Sequence, residues 1–145
     1  MKSAGRANWI MVTLLGIVVA MVVLIFLGGQ SPTAAAKEFM IALSSRDIDK
    51  LAEMSYFDPP RPIEDIKAAW KRTTDYGKYY KFAWIVKHSK SPQTDRASVT
   101  MDLTKDSNKP SAYSEAFPIE LVKVAGKWKV DVKSLSRPMY PALPR

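Results

Sequence analysis

One histidine and no cysteine among 145 residues leave this chain few ways to do chemistry. The histidine, His88, ends the run KYYKFAWIVKH, in which Tyr80, Phe82, Trp84 and Val86 recur at alternate positions. Strand parity puts His88 at the end of that aromatic face. In AYSEAFPIELVKV, Glu115 shares parity with Phe117, so an imidazole and a carboxylate could meet as a general base and its partner. Tyr80 and Tyr113 could supply hydroxyls, whereas Asp102, Glu120 and Asp131 fall on the polar sides of their strands. A lone histidine at a strand end serves equally well as a rim residue beside a solvated glutamate.

Other reactive arrangements are missing. The sequence has no G-x-S-x-G, no glycine-rich phosphate loop and no histidine pair at metal-ligand spacing. Without cysteine there is no disulfide, no thiol nucleophile, no cysteine-ligated zinc and no lipoprotein attachment residue. Asp47 and Asp49 read as a helix cap and its solvated neighbour rather than as metal ligands. The sequence therefore predicts no cofactor and no metal. Tyr80, Phe82, Trp84 and Trp128 could line a pocket for a small apolar ligand, or simply form core.

The elements that would position these residues begin with an uncharged stretch of 19 residues, Trp9 to Leu27. As a helix it would span about 28 Å, close to the roughly 30 Å hydrocarbon core of a bilayer. Trp9 stands where an interfacial aromatic belongs, and Gly16 and Ala20 form a small-xxx-small pair. Signal-peptide apolar regions are shorter, on the order of 7 to 15 residues. Ala34-Ala35-Ala36 could still be a cleavage site. The same triplet also starts an apolar stripe with Phe39, Met40 and Leu43, behind a Ser31 cap and Pro32. Lys2 and Arg6 precede the span, and the first cation beyond it is Lys37, which places the N-terminus in the cytoplasm.

Downstream, Ser45 or Asp47 can cap a second helix carrying Ile48, Leu51 and Ala52, and Pro62 can open a third with Ile63, Ile66, Ala69 and Trp70 on one face. After Gly77 the apolar period changes to two. Four alternating runs, within KYYKFAWIVKH, RASVTMDLT, AYSEAFPIELVKV and GKWKVDVKS, predict an antiparallel sheet of about four strands with helices packed on one face, an α+β domain. The expected organisation is a cytoplasmic N-terminus over 1–8, a transmembrane helix over 9–28, a domain over 31–135 and a proline-rich tail over 136–145.

The stretch SPTAAAKEFMIALSSRDIDKLAEM, a proline-broken helix and a closing GKWKVDVKSL resemble the nuclear-transport-factor-2-like superfamily, in particular its bacterial membrane-anchored members of unknown function. The resemblance covers residues 31 to 135. It implies a cone, with a curved sheet wrapped round the long first helix of the domain and a cavity that is open or filled. It implies no activity, because this fold hosts enzymes, binding pockets and interaction modules. The pocket Asp/His pairs of the superfamily's isomerases and dehydratases have no matching motif here.

Charge bears on partners. The net charge is +8, and residues 78–145 carry 13 Lys and Arg against 6 Asp and Glu. Lys81, Lys87, Lys127, Lys129 and Lys133 take the polar side of the predicted sheet, where they could guard its edges or meet anionic headgroups. Nucleic acid is excluded as a partner by a location outside the membrane. Pro138, Pro141 and Pro144 recur every three residues, the repeat of a polyproline II helix that could dock in a partner's aromatic groove. The resulting expectation is a non-catalytic, single-pass subunit of the bacterial cytoplasmic membrane, with a periplasmic domain that contacts the lipid bilayer and other membrane or extracytoplasmic proteins. The alternatives are a module holding a small apolar ligand and an enzyme built on His88.

Overall fold

The computed structural model describes residues 12–20, 29–90, 93–105 and 113–145. Residues 12–20 are helical, with Gly16 and Ala20 four apart and therefore on one face. Trp9, Leu27 and the rest of the expected anchor lie outside the described residues. Among the described residues, no helix is long and apolar enough to cross a membrane.

Helix α1 spans Pro32–Ser45. The Ser31 hydroxyl accepts from the Ala34 N–H at 3.1 Å, and Pro32 opens the helix with a φ already suited to it. At the far end Arg46 turns left-handed at φ 58°, and its N–H bonds the last carbonyls. Between these caps Ala35, Ala36, Phe39, Met40 and Leu43 are buried, whereas Ala34 is exposed. The alanine triplet thus contributes two of its three residues to the core. Asp47, rather than Ser45, caps the short helix α2, Ile48–Glu53. Helix α3, Ile63–Tyr76, follows Pro62 and ends at Gly77. Its buried face is Ile66, Trp70, Thr73 and Thr74, one turn further along than the predicted set, and Ile63 is exposed.

The sheet is mixed and has five strands in the order β1-β5-β4-β3-β2. Strands β2 (Phe82–Lys90), β3 (Arg96–Lys105), β4 (Ser114–Val124) and β5 (Lys127–Asp131) are the four antiparallel runs expected from the alternation. The fifth, β1 (Ser55–Tyr56), pairs parallel to β5 through Ser55 and Val130. Two residues are too few to register as a period of two, so the sequence does not announce this strand. The last run is also shorter than predicted: after Asp131 the chain turns into a 3-10 helix, Val132–Ser134.

Helices α1, α2 and α3 and strand β1 meet at Trp70. Its ring is fully buried and sits edge-on to Phe39 of α1, with centroids 5.8 Å apart. Its indole N–H donates to the Ser55 hydroxyl at 2.8 Å, which in turn donates to the Leu51 carbonyl at 2.6 Å. The chain of donors leaves no buried polar atom unmatched at this junction. Trp70→Ala should destabilise the domain by about 3–5 kcal/mol. Trp70→Phe, which keeps most of the ring, should cost about 1–3 kcal/mol by stranding the buried hydroxyl's acceptor position. Urea unfolding followed by circular dichroism would measure both.

Candidate functional site

In a cone of this kind the place for chemistry is the concave side of the sheet. Here the inward positions of β3 and β4, namely Ala97, Val99, Met101, Leu103, Phe117, Ile119 and Leu121, are all apolar and buried. Among the described residues the buried polar side chains are Ser55, Thr73 and Thr74, and each makes a hydrogen bond. None of these three hydroxyl side chains titrates near neutrality.

His88 does not face this interior. Val86 stands opposite Met101 while His88 stands opposite Thr100, so β2 advances two residues where β3 advances one. This bulge at Lys87 turns His88 to the outer face, where its Nε2 lies 3.3 Å from the Thr100 hydroxyl. Strand parity misplaced the residue because a bulge resets the alternation. Glu115 keeps its expected parity, opposite Leu103, but is exposed at the sheet end and lies 3.6 Å from Lys105. Thr100 and Leu103 are three residues apart on β3, which separates the two groups by about 10 Å along the strand. They also stand on opposite faces. The expected His88–Glu115 pair does not form.

The predicted pocket aromatics split in the same way. Phe82 and Trp84 lie on β2, at one edge of the sheet, with Tyr80 just before it, and all three are half-buried. Trp128 lies on β5, across the sheet from β2, buried beneath the Lys123 ammonium at 5.6 Å. They do not line one cavity. What meets Tyr80 and Phe82 is the chain's own C-terminal segment. Tyr140 stands edge-on to both rings, with centroids 5.3 and 5.8 Å away, and is itself buried.

That segment is not a polyproline helix. Arg137–Met139 forms a 3-10 turn, and Ala142 adopts a left-handed φ of 55°. Pro138 is exposed, Pro141 half-buried and Pro144 buried, so the three prolines share no edge. Met139 and Leu143 enter the core. Thr73 of α3 donates to the Ala142 carbonyl at 2.6 Å. The Arg145 guanidinium closes the turn by donating to the Lys133 and Leu135 carbonyls at 2.9 and 3.0 Å. The aromatic groove into which the tail was expected to dock belongs to this chain. The expected boundary at 135 therefore falls inside the domain.

The basic residues are dispersed as well. Lys87 is on β2, 3.5 Å from the Asp102 carboxylate, and Lys81 immediately precedes that strand. Lys127 and Lys129 stand on β5. Lys133 is off the sheet and donates to the Asp58 carbonyl in the proline-rich loop. No single face carries all five. Between α2, α3 and the β1–β5 edge runs an open groove of about 710 Å³, whose walls include Phe57, Arg61, Ile63, Val124 and Lys129. A smaller recess of about 240 Å³ lies over Tyr140, beside Arg46 and Lys81. Among the described residues no cluster of three metal-ligating side chains occurs.

Sequence reasoning missed Tyr140, Gly77 and Thr73. The signal for them was the apolar Met139, Tyr140 and Leu143 within RPMYPALPR, residues that a solvated tail has no use for.

The sequence matches no protein-family model and no curated protein. Solved structures do match. A candidate calcium/calmodulin-dependent protein kinase type II association domain from Thiobacillus denitrificans aligns at TM-score 0.52 and 14% identity, over 70% of this chain and 90% of that one. A candidate nuclear-transport-factor-2-like transpeptidase from Campylobacter jejuni aligns at 0.50 and 15% identity, over 70% and 97%. A SEC-C motif containing protein from Rhodopseudomonas palustris aligns at 0.50 and 17%, over 70% and 75%. The fold is nuclear-transport-factor-2-like. At these identities the likeness concerns the fold alone, and the three descriptions name different roles.

Gly77 and Tyr140 form a testable lock. A Cβ at Gly77 would overlap the Tyr140 ring edge, although the backbone there is open to any residue at φ −80°. Gly77→Ala should therefore cost about 1–3 kcal/mol in the native chain. In a Tyr140→Ala background the same change should be close to neutral, a coupling that thermal unfolding of the two single variants and the double variant would reveal.

Burial also raises the Tyr140 phenol above the usual tyrosine value, outweighing the opposing charge of Arg46. Its folded pKa exceeds its unfolded one, so the stability it contributes is present below pH 10 and falls as pH rises toward the folded value. Its hydroxyl bond to the Gly77 carbonyl is long, 3.5 Å. Tyr140→Phe should thus leave stability at pH 7 nearly unchanged and lessen its decline in alkaline urea titrations.

Proposed function

We propose that this chain is a non-catalytic interaction module, held to the bacterial cytoplasmic membrane by Trp9–Leu27 and serving as a small subunit of a larger membrane complex. Its N-terminus is cytoplasmic and its domain periplasmic. The observation that carries the reading is the cone closed by its own C-terminus, with Tyr140 on Tyr80 and Phe82 and the Ala142 carbonyl bound by Thr73.

Further support comes from β2, the edge strand on the side opposite β1. Its inward residues Trp84 and Val86 are only half-covered, and Ile85 on the outside is 65% exposed. An edge with apolar residues on both faces suits contact with another protein. The membrane part of the reading rests on the uncharged 19-residue run and on the cations Lys2 and Arg6 before it.

The test is native mass spectrometry of the full-length protein extracted from its own membrane in mild detergent, with the affinity tag between Asp106 and Pro110. An intact N-terminus carrying stoichiometric protein masses is the expected result. A bare chain beginning at Lys37 would overturn the anchor and make Ala36 the cleavage site. A small-molecule mass in place of a protein partner would replace the interaction reading with a ligand-binding one.

A further inference from the structure

We infer that the β4–β5 hairpin, Lys123 to Lys129, is the face by which the domain rests on anionic lipid headgroups. The inference rests on the anchored reading above and adds an orientation to it.

The point of entry of the chain into the domain carries the argument. Gly29 lies against the hairpin, close enough that a Cβ on it would touch the Gly126 carbonyl oxygen at 3.7 Å. The next residue, Gln30, donates its side-chain amide to the Glu38 carboxylate, which ties this entry point to α1. The strongly apolar run ends at Leu27, two residues before Gly29. Two residues reach at most about 7 Å. If that run crosses the bilayer, the hairpin has no room to be far from its surface.

The chemistry of the hairpin fits that position. KVAGKWK holds three lysines and no acid. Its tip is exposed, with Ala125 at φ 49° and Gly126 at φ 79° projecting the turn beyond the sheet. Among the described residues, none of Lys123, Lys127 and Lys129 forms an ion pair. Two nearby acids are engaged elsewhere: Lys50 lies 2.7 Å from Glu38 and 3.6 Å from Glu53. Asp95 meets the hairpin through its backbone carbonyl, which accepts from the Lys123 N–H at 2.8 Å. The Lys50 hydrogen bond holds Glu38 below the usual carboxylate range. The N-terminus of α1, which starts three residues after Gly29 and has no acid in its first turn, adds the positive end of a helix dipole on the same side. Val124 supplies an apolar contact between the lysines.

The opposite end of the sheet provides the control. β4 runs from Ser114 to Val124, so the Phe82 end of β2, which pairs with Lys105, lies about 30 Å along the strands from the hairpin, and Tyr79 is three residues before it.

Because the chain has no cysteine, single labels are clean. The full-length protein would carry a nitroxide at Ala125→Cys or at Tyr79→Cys, in vesicles of phosphatidylcholine with and without phosphatidylglycerol. Two quantities are read: retention after an alkaline carbonate wash, and the ratio of label collisions with oxygen to those with an aqueous nickel chelate. The expected result is full retention, with a severalfold higher ratio at 125 than at 79 in the phosphatidylglycerol vesicles. That difference should shrink when Lys123, Lys127 and Lys129 are all changed to Gln. Full retention with equal ratios at the two positions overturns the hairpin's role and leaves the anchor standing. Release by carbonate overturns the anchor, and the orientation with it.

Discussion

A curved sheet leaves a hollow that must hold either a ligand or protein, and this chain supplies the protein. The Tyr140 ring fits the hollow between Tyr80 and Phe82 because Gly77, having no side chain, leaves space for its edge. Everything after Asp131 is arranged round that insertion. The strand stops, a 3-10 turn directs Leu135 and Met139 inward, and Arg145 returns to bind the carbonyls at the start of the segment. A close-packed interior tolerates neither the loss of such a group nor the addition of one beside it.

The consequence is a division of labour between the two sides of the sheet. Inside, apolar residues pack around the hydroxyls of Ser55, Thr73 and Thr74, each hydrogen-bonded, with the Trp70–Ser55–Leu51 chain joining the helices to β1. Outside, the ionisable groups pair across strands or stand in solvent. Lys87 lies near Asp102, and His88 near Thr100. The bulge at Lys87 places His88 on this outer side, opposite Thr100.

The fold alone assigns no role. Structural relatives of similar shape carry different descriptions, so for this chain two features have to be read directly, what fills the cone and what the domain is attached to. For this chain the first is its own C-terminus. The second is proposed to be a membrane, and the entry of the chain beside Gly126 then makes attachment and orientation a single feature.

Much of the architecture was legible in the sequence, because periodicity and capping are local. Ser31 and Pro32 mark the start of α1, Gly77 the end of α3, and alternation identifies β2 to β5, since each signal acts within a few residues. The same locality misled at His88, where one extra residue at Lys87 inverts every later position, and at the prolines, whose spacing suggested a free helix. It was silent on β1, whose two residues owe their strand conformation to Val130 and Asp131 more than seventy positions away. The sequence by itself determined which residues are apolar, where helices begin and end, and which strands alternate. Only the tertiary structure decided which aromatic side chains meet and whether the cone is open. Those outcomes depend on contacts between segments that no local pattern encodes.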